Sequence, residues 1–334
     1  MRFSLVGTRV PELQSEKDQW INSVPIFLKN VEEMAVLIKF WDYTCINCIR
    51  SIPYTIEWSR KYRNHNLLTI GIHSPEFSFG KNKEYVKKAL NEFDISFPVL
   101  LDNEYKNWKS FANRYWPRTI LIDPNGKIVY DKIGEGNYEE TENAIRKLLL
   151  TMNPDDELPE MTYINKPEDR YGAECYIPTR EIFTSSRQGV FGNDEEFDEG
   201  ENGIYIDSGK RVDGVLILNG CWIQTDEFIF NIPDCHLDNY LVFIYSAKEV
   251  YGVFGCEENH TNEIIITQDG KPIPKEFAGA DIVFNENQES VLKVSIPRLY
   301  RLIKNDNFSS HELKLDVKTG ICNIYSFTFG TCIK

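Results

Sequence analysis

No stretch of this 334-residue chain is apolar for long enough to cross a bilayer, which takes about 20 residues as a helix. The N-terminus, Met1-Arg-Phe-Ser-Leu-Val-Gly7, lacks the apolar centre of a secretory leader. These two absences set the expectation of a soluble, cytoplasmic protein. A chain trimmed of its leader or anchor would read the same way and would belong outside the cytoplasm. Positive charge is in short supply as well. With 37 Lys and Arg against 51 Asp and Glu, the net charge is -14, which argues against a nucleic-acid backbone as the main partner. Histidines number only five and are scattered, and the eight cysteines contain a single C-x-x-C. Zinc takes three or four ligands, commonly from two close pairs. Cys235 and His236 are adjacent, but two neighbours do not make a site. No metal and no cofactor is expected.

What is present is Cys45-Ile46-Asn47-Cys48, between a strand-like run, Met34 to Trp41, and a helix-like run, Ile49 to Arg63. Two thiols three residues apart in the first turn of a helix sit side by side, the geometry for making and breaking one disulfide. The amides of a helix N-terminus favour a thiolate. A C-x-x-C set in a β-α-β pattern reads as a thioredoxin-like redox motif.

The first half alternates strand and helix signals. Leu67 to His73 is an apolar run fit for a buried strand, and Lys81 to Phe93 carries Tyr85, Ala89 and Phe93 at a spacing of four on one side. Phe97 to Leu101 reads as a short strand and Glu104 to Asn113 as a helix. Arg118 to Asp123 and Lys127 to Tyr130 flank Asp123-Pro-Asn-Gly126, a hairpin signal, and Tyr138 to Met152 closes the domain as a helix. Residues 1–152 are thus expected to form an α/β domain. Residues 153–168, polar and proline-bearing, read as a linker. Residues 169–334 change texture to about ten short strands punctuated by Asp213-Gly214, Asn219-Gly220 and Asp269-Gly270, which suggests an all-β sandwich. The acidic stretch Asn193 to Asn202 reads as a solvated turn, since its ligand spacing fits no calcium loop.

Phe40-Trp-Asp-Tyr-Thr-Cys45-Ile-Asn-Cys48 resembles the signature of TlpA-like thiol-disulfide oxidoreductases, and its Ile-Asn dipeptide resembles the DipZ-like branch. Pro53 falls where that helix commonly carries a proline, and Trp116-Pro117-Arg118 resembles the segment holding the family's cis-proline. In the second half, Tyr171-Gly172, Gly220-Cys-Trp222, Asp269-Gly270, Arg298-Leu-Tyr300 and Phe327-Thr-Phe-Gly330 are similar to landmarks of the branch's C-terminal module. The resemblance implies a thioredoxin-like domain followed by a jelly-roll module similar to carbohydrate-binding modules. It also implies disulfide exchange with protein thiols and an unidentified electron donor or acceptor. DipZ-like proteins usually add a membrane domain, for which this sequence shows no counterpart, so the electron source stays open.

Within that frame Cys45 is expected to attack and Cys48 to resolve. Pro117, with Trp41, Trp116 and Arg118, would position substrate. Trp41 is equally readable as plain core, and Arg118 as the partner of a surface carboxylate. Lys39 stands where thioredoxins carry a buried acid; it either favours the thiolate as an ammonium or is paired elsewhere. His73 and Glu76 follow the central strand and would shuttle a proton or serve structure. Trp222 and the tyrosines of the second domain would stack on sugar rings or fill a core. A thiol peroxidase, or a binding protein with a vestigial redox domain, are the competing functions.

Overall fold

The computed structural model describes residues 4–31, 33–163, 169, 176–196, 198–257 and 260–330. The expectation for Tyr171-Gly172 lies outside the described residues, as do Cys175 and Cys332. The chain divides into two units, Met1–Ala173 and Glu174–Lys334.

In the first unit the elements are β1 (Trp20–Ile21), β2 (Ala35–Trp41), α1 (Ile46–Tyr62), β3 (Leu67–His73), α2 (Lys83–Glu92), β4 (Val99–Leu101), α3 (Lys106–Ser110), β5 (Arg118–Ile122), β6 (Ile128–Ile133) and α4 (Tyr138–Met152). The six strands form one sheet in the order β1-β4-β3-β2-β5-β6. Strands β2, β3 and β4 run parallel, and β5 and β6 return antiparallel as the expected hairpin. Its turn is built by Asp123, whose carboxylate accepts from the amides of Asn125 and Lys127, with Gly126 at φ +75°. The edge strand β1 was not legible in the sequence; two residues leave no periodicity, and pairing with β4 alone makes them a strand.

Every residue of β2 is buried, as a central parallel strand requires. Side chains alternate between the two faces of a strand. Val36, Ile38 and Phe40 join Ile70, Ile72, Leu100 and Ile120 in one core. Ala35 and Leu37 point the other way, against Trp58 and Tyr62 of α1 and Ile145 and Leu149 of α4. The stretch read as a linker is in part held to this unit. Glu142 on α4 accepts from the Thr162 amide at 2.9 Å, and Lys61 on α1 donates to the Glu160 carbonyl at 2.9 Å.

The second unit is all-β: β7 (Ile182–Phe183), β8 (Asn202–Tyr205), β9 (Ile217–Gln224), β10 (Ile229–Asn231), β11 (Tyr240–Cys256), β12 (Asn262–Gln268), β13 (Lys271–Pro272), β14 (Ile282–Phe284), β15 (Ser290–Val294), β16 (Arg298–Val317) and β17 (Cys322–Gly330). The ladder runs β14-β15-β12-β16-β11-β17-β10-β9-β8, and β9 pairs again with the start of β11, so the sheet closes on itself. Long β11 and β16 carry register shifts near Ala247 and Val250, the irregularities that let one strand bend. Asp269-Gly270 makes the tight turn expected of it, both residues at positive φ. Asn219-Gly220 does not. It lies inside β9, where a Cβ at Gly220 would come within 2.2 Å of Asn239 Oδ1. Glycine is there for close approach of chains, a signal that mimics a turn.

Of the two readings of Trp222, a sugar platform or core, the structure has core. Trp222 is fully buried in the core with Phe243, Phe254 and Phe327, and its Nε1 donates to the Asn219 carbonyl at 2.8 Å. A disulfide, Cys221–Cys235, ties β9 to the loop after β10 and accounts for the Cys235-His236 neighbours. The bridge spans 14 residues of sequence. Closing a loop of that length limits the unfolded chain by about 3 kcal/mol. Selective reduction of Cys221–Cys235 is expected to lower the urea stability of this unit by that order, measured against the Cys221→Ser/Cys235→Ser variant.

Candidate active site

The chain leaves β2 at Trp41, turns through residues 42–44 and enters α1 with Cys45 as its N-cap. Cys45 has an extended backbone, φ -84° and ψ 110°, and its Sγ accepts from the Cys48 amide at 3.4 Å. Cys45 is partly exposed; Cys48, one turn on, is buried within a core of Trp41, Ile52 and Val99. The two thiols are unbonded, so this is the reduced state. The helix amide favours a Cys45 thiolate, yet the thiol is held well above its ordinary range. A side-chain hydrogen bond with Cys48 is the main cause, followed by burial and the negative neighbours Cys48 and Asp42. The expectation that a helix N-terminus alone supplies a ready thiolate is therefore incomplete.

Asp42 was not singled out from the sequence. It is fully buried, and its carboxylate accepts from the Thr44 amide at 2.6 Å, the Thr44 hydroxyl and the Glu76 amide at 3.2 Å. His73 Nε2 lies 3.2 Å from Asp42 Oδ2. The imidazole nitrogen and the carboxylate oxygen are close, but their geometry does not meet that of a directed hydrogen bond. Burial would raise the Asp42 carboxyl, but His73 and Thr44 together hold it below the usual carboxylate range. The imidazole is level with Trp41 in the β2–β3 ladder, edge-on to its ring at 5.4 Å and stacked on Tyr43 at 5.6 Å. An acid three residues before the first cysteine was the available signal; it was obscured because Asp reads as a turn residue at a strand end.

Lys39 lies on the α1 side of β2, the face of Leu37 and Trp41, and is 3% exposed. Its Nζ donates to Thr119 Oγ1 on β5 at 3.1 Å. Burial pulls the ammonium down to about 8, while Cys48, Cys45 and Glu135 pull it back up. Glu135 is itself raised by burial and held by Arg50 at 3.3 Å. Lys39 is thus a buried cation within electrostatic reach of both sulfurs.

The Trp116–Pro117 peptide is cis. Pro117 leads directly into β5, whose Arg118 pairs with Phe40 on β2, so this loop arrives beside the end of β2. Trp116 is half-buried against the core that holds Cys45 and Cys48. Its Nε1 donates to the Ser74 carbonyl at 3.0 Å and its ring packs on Trp108 at 4.2 Å. Two of the expected substrate-positioning residues are corrected. Trp41 is wholly buried, so it supports Cys48 from below and cannot meet a substrate. Arg118 is buried too: its Nε and Nη2 grip both oxygens of Asp131 at 2.8 Å, and Nη1 donates to the Phe111 carbonyl at 3.0 Å. It neither steers substrates nor pairs at the surface; it clamps β5 to β6. Glu76 brings its amide to Asp42. No group of three or more metal-ligating side chains occurs among the described residues.

Residues 5–149 match the Redoxin family and residues 179–330 match the family described as thioredoxin like C-terminal domain. Protein DipZ of Mycobacterium bovis is 30% identical over 314 residues, 93% of this chain and 41% of that protein. Along nearly its whole length the chain is similar to DipZ, and its two halves carry the two family matches. It spans less than half the length of its DipZ relatives. The thiol-disulfide oxidoreductase YkuV of Bacillus subtilis is 26% identical over 42% of this chain and 93% of its own. ResA of Bacillus thuringiensis, also a thiol-disulfide oxidoreductase, is 29% identical over 37% of this chain and 68% of its own.

Two measurements probe this DipZ-like site. Lys39 has a lower affinity for its proton in the folded chain, about 8 against an ordinary 10.5. The unfolded chain therefore holds more protons across that window, and stability gains as pH rises through it. Below about pH 8 the buried ammonium costs its full penalty, on the order of 3 kcal/mol. Lys39→Met is expected to raise the urea midpoint of the first unit at pH 7, the advantage fading by pH 10.5. It should also slow alkylation of the pair at pH 7. An unchanged pH dependence would refute the buried-cation reading. Arg118→Met should cost about 3–5 kcal/mol by stranding the buried Asp131 carboxylate, seen as a fall in the same midpoint.

Proposed function

We propose that this chain exchanges disulfides with protein substrates through Cys45 and Cys48. The observation that carries the reading is the asymmetry of the pair: Cys45 caps the helix within reach of solvent, and Cys48 is wholly buried behind it. Written in the reducing direction, Cys45 loses its proton and its sulfur attacks a substrate disulfide. One substrate sulfur leaves as a thiolate and a mixed disulfide forms. Cys48 then gives up its proton, attacks Cys45 Sγ and expels the second substrate sulfur. Two electrons pass from the Cys45–Cys48 dithiol to the substrate. Run backwards, the same steps oxidise a dithiol.

The surroundings suit this cycle. The Cys48 amide stabilises charge on Cys45, and Lys39 favours negative sulfur from the α1 face of the sheet. The Asp42–His73 couple next to the motif is fully buried and suits fixing residues 42–45. Trp116 is the half-exposed aromatic beside the sulfurs, fit to pack against an extended substrate segment.

The compartment we propose is an oxidising one rather than the cytoplasm. The Cys221–Cys235 disulfide supports this, since structural disulfides persist outside reducing compartments. The electron partner is a second thiol-disulfide protein of that compartment. For the second unit we propose a role in holding protein substrates; the burial of Trp222 removes the residue that favoured a glycan.

Insulin reduction with dithiothreitol tests the reading. The wild-type chain should accelerate precipitation of the insulin B chain, faster as pH rises, because the raised Cys45 thiol leaves little thiolate at neutrality. Cys45→Ser should fall to the uncatalysed rate. Cys48→Ser should accumulate a mixed disulfide with the substrate. Turnover by Cys45→Ser, or consumption of hydrogen peroxide in place of insulin reduction, would overturn it.

A further inference from the structure

Two more thiols face each other in the second unit. Cys256 is the last residue of β11 and Cys322 the first of β17, and the antiparallel register sets them directly opposite. The Cys322 amide points away from β11 and donates to Asn231 Oδ1 on the β10 side at 2.9 Å. The N–H and C=O of a strand residue leave on the same side, so this rung is not bridged by backbone hydrogen bonds. Non-hydrogen-bonded rungs bring opposite Cα atoms to about 4.5 Å with both side chains on one face. A disulfide takes Cα atoms roughly 4.4–6.8 Å apart. The strands therefore need not move to join these sulfurs.

Neither sulfur is bonded in this state. Cys256 is partly exposed and its thiol donates to the His260 carbonyl at 3.4 Å; Cys322 is buried. We propose that Cys256 and Cys322 are a second convertible dithiol, which takes a disulfide by exchange with a low-molecular-weight disulfide. Cys256, as thiolate, attacks one sulfur of the small disulfide and releases its partner as a thiol. Cys322 then loses its proton and attacks Cys256 Sγ, expelling the second small thiol. Two protein thiols are oxidised by two electrons, and one small disulfide becomes two thiols. Burial, with the Glu257 carboxylate, holds the Cys256 thiol above its usual range, and burial holds Cys322 higher still. Conversion is accordingly slow at neutral pH and quickens as pH rises. The bond would pin the last rung of the β11–β17 ladder. It is independent of the Cys45–Cys48 cycle.

The experiment uses the full chain carrying Cys45→Ser and Cys48→Ser, so the first pair carries no electrons. It is equilibrated in mixtures of oxidised and reduced glutathione, acid-quenched, alkylated and digested without reduction. The expected result is joint loss of the alkylated Cys256 and Cys322 peptides as the mixture becomes oxidising, with gain of one peptide linking them. Adding Cys322→Ser should leave Cys256 as a stable glutathione adduct. Both cysteines remaining alkylated at every ratio would overturn the proposal, as would cross-links from either to a different cysteine.

Discussion

Strand β2 is hydrogen-bonded along both edges, to β3 in parallel and β5 in antiparallel, and the redox centre hangs from its end. A one-residue slip would turn each of its side chains to the wrong face and break two ladders at once. That register decides where everything near the sulfurs emerges. His73 ends β3 level with Trp41, and Arg118 begins β5 opposite Phe40. The turns after β2 and β3 and the Trp116–Pro117 loop therefore arrive at one edge of the sheet, where sites of layered α/β folds form. Cys45 needs no special loop to reach its place. The turn at residues 42–44 is short, and Asp42 fixes it by accepting the Thr44 amide and hydroxyl.

Four buried charged side chains lie around this edge, and they are handled differently. Arg118 and Asp131 satisfy one another with two parallel bonds, and a backbone carbonyl takes a remaining donor. Such a closed arrangement fixes geometry and exerts little field outside itself. Asp42 is shared among a histidine, a hydroxyl and two amides, again inwardly complete. Lys39 is the exception. Its hydrogen-bond partner is a neutral threonine, and no carboxylate of the described residues lies within ion-pair distance. An ammonium left without a counter-charge in a buried layer interacts with the surrounding negative groups, and here the two sulfurs act on it more strongly than Glu135 does. The position that thioredoxins fill with an acid thus holds a base, which inverts the local field. An acid there would raise the cost of a thiolate; a lysine lowers it and becomes easier to deprotonate in return.

Much of this was legible in the sequence, for identifiable reasons. The C-x-x-C, the buried run of β2 and the amphipathic helices are local patterns, and α4 and β3 fall on their expected bounds. The pair to be joined is written within four residues. What was not legible depends on partners distant in the chain. Arg118 could be judged only once Asp131 was known to lie beneath it on the next strand. Trp41 could be judged only from which face of β2 meets α2. Trp222 was readable as core or as a sugar platform because tryptophan in a β domain is ambiguous until burial is known. Asp42 was hidden for the opposite reason: an acid at a strand end is ordinary, and only His73, 31 positions further on, makes it part of the site.

The cysteines of the two units show how backbone context, more than thiol identity, sets redox behaviour. At a helix N-cap the resolving sulfur sits one turn from the attacking one and its own amide supports the charge that must develop. The backbone can stay still while the bond opens and closes, so the pair suits repeated turnover. Across a strand ladder the same spacing is reached through register, with no helix amide at the sulfur, and one partner is sunk in apolar core. A thiolate is then disfavoured on both sides. The disulfide proposed there would be made slowly and kept, a state of the sheet instead of a step in a cycle. Cys221–Cys235 lies at the far end of that range, joining a strand to a loop with both sulfurs committed. One chain thus holds thiols graded from exchangeable to fixed, and the grading follows burial and the direction of the nearest amide.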